Sequence, residues 1–176
     1  MLTNLLLVVA VGVLAVLIYA SFKSKSFALS RSAVIAAPPA RVFALINDLQ
    51  GFNRWNPFAR QDPGLAIRYE SITSGKGAAY TWVGKKAGVG RMEITDSVPE
   101  QRVTMRLDFS KPMEAHNMVN FTLEPQGPHT KVTWSMNGPA TYVHNLMTTF
   151  VSMDKMVGGQ FEAGLDSVKA LAESTP

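Results

Sequence analysis

Three histidines, at positions 116, 129 and 144, are the only imidazoles in this 176-residue chain. None has a partner four residues away, so no pair of metal ligands shares a helix face, and no carboxylate–histidine cluster suggests a metal centre. The spacing puts His116 on a strand, His129 in a Gly127-Pro128 hairpin and His144 at the start of the C-terminal tail. His116 and Asn117 alternate across their strand, so one of the two faces inward. Asp108 shares a polar strand face with Arg106. An outward ion pair is the plain reading, and a buried Asp108 with a raised pKa would instead be a general base. The chain has no cysteine, which removes disulfides, thiolate nucleophiles and cysteine-ligated metals from consideration. These residues name no catalytic group, and no metal or cofactor is expected.

Side chains suited to holding an apolar molecule are more numerous than side chains suited to reaction. On predicted strands stand Trp82, Met105, Leu107, Asn117, Phe121, Trp134 and Met136, and on the tail Met153, Met156, Val157 and Phe161. Each could line a ligand cavity or fill a core. Nine methionines favour an adaptable pocket, because thioethers conform to irregular apolar shapes.

The elements that carry these residues follow from periodicity. Ala33 to Ala37 reads as the end of a first strand, stopped by Pro38-Pro39. Val42, Phe43, Ile46 and Leu49 recur at helical spacing from about Pro39, and a second short helix holding Phe52, Trp55 and Phe58 follows a Gln50-Gly51 turn and is closed by Pro57. Alternating apolar and polar residues then mark strands around 65–70, 78–82, 91–94, 102–109, 119–123 and 132–136. Turn chemistry separates them, so the segment is an antiparallel meander with one apolar face. In the tail, Leu146, Phe150, Met153, Val157, Phe161, Leu165, Val168 and Ala172 step by three or four. Gly158-Gly159 interrupts that run, with the main helix expected from about Gly159 to Glu173. The fold class is α+β, a curved antiparallel sheet covered by a long C-terminal helix, with a hollow between them.

Residues 1–22 carry no charged side chain, and Leu5 to Phe22 is almost continuously apolar. Eighteen helical residues span about 27 Å, close to the roughly 30 Å hydrocarbon core of a bilayer. A cleaved signal peptide and a buried helix compete with this reading. The neutral Thr3 and Asn4 and the length favour a retained single-pass anchor at residues 5–22. Lys23, Lys25 and Arg31 follow the span and nothing basic precedes it, which places the rest on the cytoplasmic side. Three parts are expected: an anchor at 1–22, a tether with the start of the first strand at 23–32, and a single domain at 33–176. The net charge of +4 is spread without a cluster, so nucleic acid is not an expected partner. Lys85-Lys86 at a glycine-bounded hairpin tip reads as solvated, or as touching anionic headgroups.

From about Ala28 to Ala172 the chain resembles the START-like, helix-grip superfamily (SRPBCC, polyketide cyclase/dehydrase-like), which includes the birch-pollen-allergen-like proteins. The resemblance rests on Ile35-Ala36-Ala37-Pro38-Pro39 running into Val42-Phe43 and Ile46-Asn47-Asp48, then Phe52, Trp55, Asn56, Pro57 and Phe58. It continues with Tyr80-Thr81-Trp82 before Gly88-Val89-Gly90, and closes with Met153 to Gly158 ahead of Phe161-Glu162 and Gly164-Leu165. Where many relatives follow the first glycine of that last segment with Pro-Asp, this chain has Gly159-Gln160. The resemblance implies a hydrophobic cavity used for lipids, sterols, polyketides or hormones, and no particular reaction. The expected function is a membrane-tethered binding protein for a hydrophobic or lipid-like molecule. The alternatives are a cyclase/dehydratase-type enzyme using the same cavity and an interaction module without a cavity, with protein partners unknown.

Overall fold

The computed structural model describes residues 1–174, so the last two residues of the expected domain, 175 and 176, lie outside the described residues. Helix α1 (Leu2–Phe22) is followed by strand β1 (Ser26–Ile35), leaving only residues 23–25 as the link. The first strand therefore begins seven residues before Ala33. Phe27, Leu29, Arg31 and Ala33 form its inner row, and small Ser26, Ala28, Ser30 and Ser32 its outer row.

Helices α2 (Pro39–Asn47), α3 (Leu49–Trp55) and α4 (Pro57–Arg60) come next. The expected turn at Gln50-Gly51 lies inside α3, because the Asp48 carboxylate accepts from the backbone N–H groups of Gln50 (3.2 Å) and Gly51 (3.0 Å) and starts the helix there. Pro57 opens α4 rather than closing α3. Its ring suits a first helical position, and the Asn56 side chain caps the turn by accepting from Phe58 N–H at 3.2 Å.

Strands β2 (Ala66–Tyr69), β3 (Ala79–Val83), β4 (Val89–Val98), β5 (Arg102–Lys111), β6 (Ala115–Gln126) and β7 (His129–Pro139) complete the sheet. All seven strands are antiparallel neighbours in the order β1-β7-β6-β5-β4-β3-β2. A register shift between Ile94 and Asp96 puts a bulge in β4 opposite β5, which bends the sheet. His129 sits at the exposed start of β7.

After β7 come helix α5 (Tyr142–Phe150), a π-helical turn (Asp154–Gly158) and helix α6 (Gly159–Ser174). The long helix lies on the concave face and buries Phe161, Gly164, Leu165, Val168 and Ala172. It approaches so closely that a Cβ at Gly164 would stand 2.5 Å from Cζ3 of Trp134. Arg31, from the inner row of β1, reaches the end of this helix, donating to Glu162 (2.6 Å) and to Asp154 on the π-turn (2.5 Å). Those carboxylates hold its guanidinium further in the charged form. Arg31 is thus a clasp between sheet and helix rather than a loose tether charge.

Candidate functional site

The core and the hollow are two ends of the same concave face. Below α6, Ile35, Val42, Ile46, Val103, Met105, Phe121, Val132 and Val168 are fully or almost fully buried. The boundary is a stack of rings: Trp134 lies parallel to Phe161 at 4.2 Å and is tilted against Phe121 at 5.0 Å, while Trp55 meets Trp134 edge-on at 5.9 Å. The Trp134 indole N–H is buried with no hydrogen-bond partner among the described residues, enclosed by these rings.

Past this stack, where α6 has begun its course toward the other end, a cavity of about 570 Å³ opens. Leu107, Asn117, Trp134 and Met136 wall it from the sheet, Trp82 from β3, and Met153, Met156, Val157 and Phe161 from the π-turn and α6. Met105 and Phe121 do not line it. They occupy the same inward rows, two or four residues further along their strands, and lie wholly under the packed half. Phe150 and Leu146 also depart from the expected inward stripe: Phe150 is 72% exposed and Leu146 half-buried. Sequence reasoning missed Phe27, Phe58, Leu65, Met92, Phe109, Met113, His144 and Met147, all of which border the void. For Phe27 and Phe109 the signal was there, since each continues an inward row.

Few polar groups reach the cavity. Asn117, on the inner row of β6, is 8% exposed, and its side chain makes no hydrogen bond among the described residues. Its Oδ1 lies against Gly138 of β7, where a Cβ would stand 2.2 Å away, so the glycine makes room for the amide. At the other end, Asn56 donates to Asn53 Oδ1 (3.3 Å) and Asn53 to the Tyr69 hydroxyl (3.3 Å). The nearby Tyr80 hydroxyl donates to Met92 Sδ at 3.6 Å, and burial pushes its phenol up. Asp62 closes that end by accepting from the backbone N–H of Lys86 (2.8 Å) and Ala87 (3.1 Å), which hold its carboxyl below the usual range. Lys85 and Lys86 stand exposed at the β3–β4 hairpin tip as expected, with the backbone of Lys86 tied to the cavity's end.

Asp108 points to the outer face. It pairs with Arg106 (3.0 Å) and with His116 Nδ1 (2.8 Å), at the end of a ladder of alternating charges that continues through Glu93 and Arg91 to Glu70. Asp108, and secondarily Glu114, raise the His116 imidazole above 6.5. His144 stacks on Phe27 with ring centroids 5.0 Å apart, and burial, helped by Lys23, pushes it below 6.5. Among the described residues no cluster of three or more histidine or acidic side chains is placed to hold a metal. The arrangement is chemically a container: aromatic, aliphatic and thioether walls with one unpartnered amide.

The sequence profile described as "Polyketide cyclase / dehydrase and lipid transport" matches residues 26–173. No curated protein sequence matches the chain. Among solved structures, a protein of Mesorhizobium loti superposes with a TM-score of 0.60 at 14% identity, over 85% of this chain and 100% of its own. A protein of Chromobacterium violaceum gives 0.58 at 16% identity over 86% and 99%. The Aha1 dimer of Colwellia psychrerythraea gives 0.56 at 16% identity over 84% and 97%. At these identities the likeness is one of fold.

Proposed function

The chain belongs to the polyketide cyclase / dehydrase and lipid transport family, and on that premise we propose that it is a membrane-tethered binding protein for a hydrophobic or lipid-like small molecule, held in the cavity between sheet and C-terminal helix. The observation that carries the reading is the cavity itself: about 570 Å³, walled by Trp82, Leu107, Trp134, Met136, Met153 and Phe161, with the Asn117 amide opening onto it without a hydrogen-bond partner among the described residues. Pockets of this size and lining take apolar ligands whose orientation is set by a few polar contacts.

The tether is α1. It is long and apolar enough to cross a bilayer, and it is exposed along its length except at half-buried Val16 and buried Ala20. A soluble protein does not leave such a surface in water. Lys23, Lys25 and Arg31 after its C-terminal end, with nothing basic before it, favour a cytoplasmic domain. The void itself argues against an interaction module with a solid interior. An enzymatic reading would need an acid–base pair turned into the cavity; Asp108 lies on the outer face, and the one acid–imidazole pair at the cavity, His116 with Glu114 at 3.3 Å, stands at its solvent-exposed rim.

Native mass spectrometry of the full chain, released from detergent after incubation with a total lipid extract, tests the reading. Discrete apolar adducts are expected. A folded chain that stays free of cargo across such extracts would overturn it.

A further inference from the structure

Helix α5 is built the wrong way round for water. A surface helix ordinarily turns its apolar stripe to the core and its polar face to solvent. In α5 the polar residues face in: Asn145 is buried and donates to the Ser24 carbonyl (3.1 Å), and Thr148 accepts from Lys23 Nζ (2.9 Å). The apolar residues Val143, Met147 and Phe150, spaced by four and three, face out, with Val151 beside them. Each is at least 45% exposed. The neighbouring rim of the cavity is apolar and exposed as well, with Met113 from the β5–β6 hairpin and Met156 from the π-turn 46% and 44% exposed.

The position of α5 along α1 fixes what surrounds this face. The Tyr142 hydroxyl donates to the Leu17 carbonyl at 3.1 Å, and Ala20 is buried at the junction of the two helices. Leu17 lies five residues, about 7.5 Å, before the end of α1 at Phe22. The 21 residues of α1 span roughly 31 Å, about the thickness of a bilayer's hydrocarbon core. If α1 spans, its last stretch of about 7.5 Å lies at the acyl–headgroup boundary, and α5 is fastened at that depth. Amphipathic helices lying in that layer bury their apolar face by about 5–10 Å.

We propose that the outward stripe of α5, with Met113 and Met156, seats the mouth of the cavity in the interfacial layer of a lipid bilayer, so that cargo passes between acyl chains and cavity without crossing water. The inference rests on the reading of α1 as a membrane anchor and adds where the domain sits and where its cavity opens. Three methionines, Met113, Met147 and Met156, line both the void and its exposed rim. Their flexible thioethers can part for an entering chain and close behind it.

Because the chain has no cysteine, single labels can be placed without altering a native thiol. The full-length Phe150→Cys, Met113→Cys and Glu124→Cys variants, carrying an NBD fluorophore, are reconstituted in phosphatidylcholine/phosphatidylglycerol vesicles and followed by flotation and by emission. Spin labels on the lipid acyl chains serve as quenchers. The proposal expects blue-shifted emission at 150 and 113 and quenching several-fold stronger than at 124, which lies on the exposed far end of β6. Vesicles that float with the chain while all three labels emit as in water would overturn the proposal and leave the anchor reading standing. A chain that does not float would overturn both. A blue shift at 150 and 113 that depends on protein density and is not quenched by lipid would overturn it in favour of a second copy covering the face.

Discussion

Replacing Asn117 by leucine should make the empty protein more stable and the loaded protein rarer. The residue as a whole is more than nine-tenths buried, in a wall otherwise formed by Leu107, Met136 and Val119, while its amide opens onto the void and makes no hydrogen bond among the described residues. An unpartnered buried polar group costs about 1–3 kcal/mol. The lower end applies, since the amide borders the void rather than packed atoms. Leucine removes that penalty in a side chain of similar reach, so about 1 kcal/mol of stability should be gained, or about 2–4 °C in Tm for a domain of this size. A cargo molecule that hydrogen-bonds the amide would lose about 0.5–1.5 kcal/mol, a roughly 2- to 12-fold weaker association. Scanning calorimetry of the full chain in detergent reads the first effect, and displacement of a fluorescent fatty-acid analogue the second. An Asn117→Leu variant that melts lower and retains the analogue as the parent does would refute the reasoning, because the amide would then be serving the fold.

Gly164→Ala should lower stability by about 1–3 kcal/mol despite the better helix propensity of alanine. The new Cβ would stand 2.5 Å from a Trp134 ring that Phe161 and Phe121 hold in place; urea denaturation checks this, and an unchanged midpoint would contradict it. Arg31→Gln should free the start of α6 from β1, seen as faster amide exchange at residues 154–162 with the β5–β6 pairing unaffected. The two shifted histidines should act in opposite directions. His116, raised by Asp108, contributes stability that is complete below pH 6.5 and lost as pH rises through its folded pKa. His144, depressed by burial beside Phe27 and Lys23, contributes stability present above pH 6.5 and lost as pH falls through its folded pKa. Imidazole NMR titration should find the two midpoints on opposite sides of 6.5, and His144→Phe should remove the acid-side loss.

Strand and helix positions were legible because each inward row repeats with a fixed period, and rows such as Val103-Met105-Leu107 or Val132-Trp134-Met136 read directly as strands facing a core. Periodicity fails where the rows mix chemistry. The inner row of β1 contains Arg31, whose charge is satisfied by Asp154 and Glu162 from distant parts of the chain, so Phe27-Leu29-Arg31-Ala33 did not read as one side of a strand. Pro57 shows a second failure: a proline after an aromatic helix reads as a stop, and only the Asn56 cap turns it into a start.

The cavity was legible as a hollow but not in its extent, for a related reason. A row of inward residues states which face they share and says nothing about where along that row the covering helix ends. Met105 and Leu107 differ by one inward step, as do Phe121 and Val119, yet the Trp134–Phe161 stack falls between the packed half and the open half. Helix α5 carries the same ambiguity in a sharper form. The spacing of Leu146, Phe150 and Met153 promises one apolar stripe, and on the reading that the core is the only apolar solvent, that stripe must turn inward. If α1 anchors the chain in a bilayer, as proposed above, the stripe at Val143, Met147 and Phe150 can turn outward at no hydrophobic cost, leaving Asn145 and Thr148 to bind Ser24 and Lys23. The period fixes the helix, and the solvent on each side decides which way it faces.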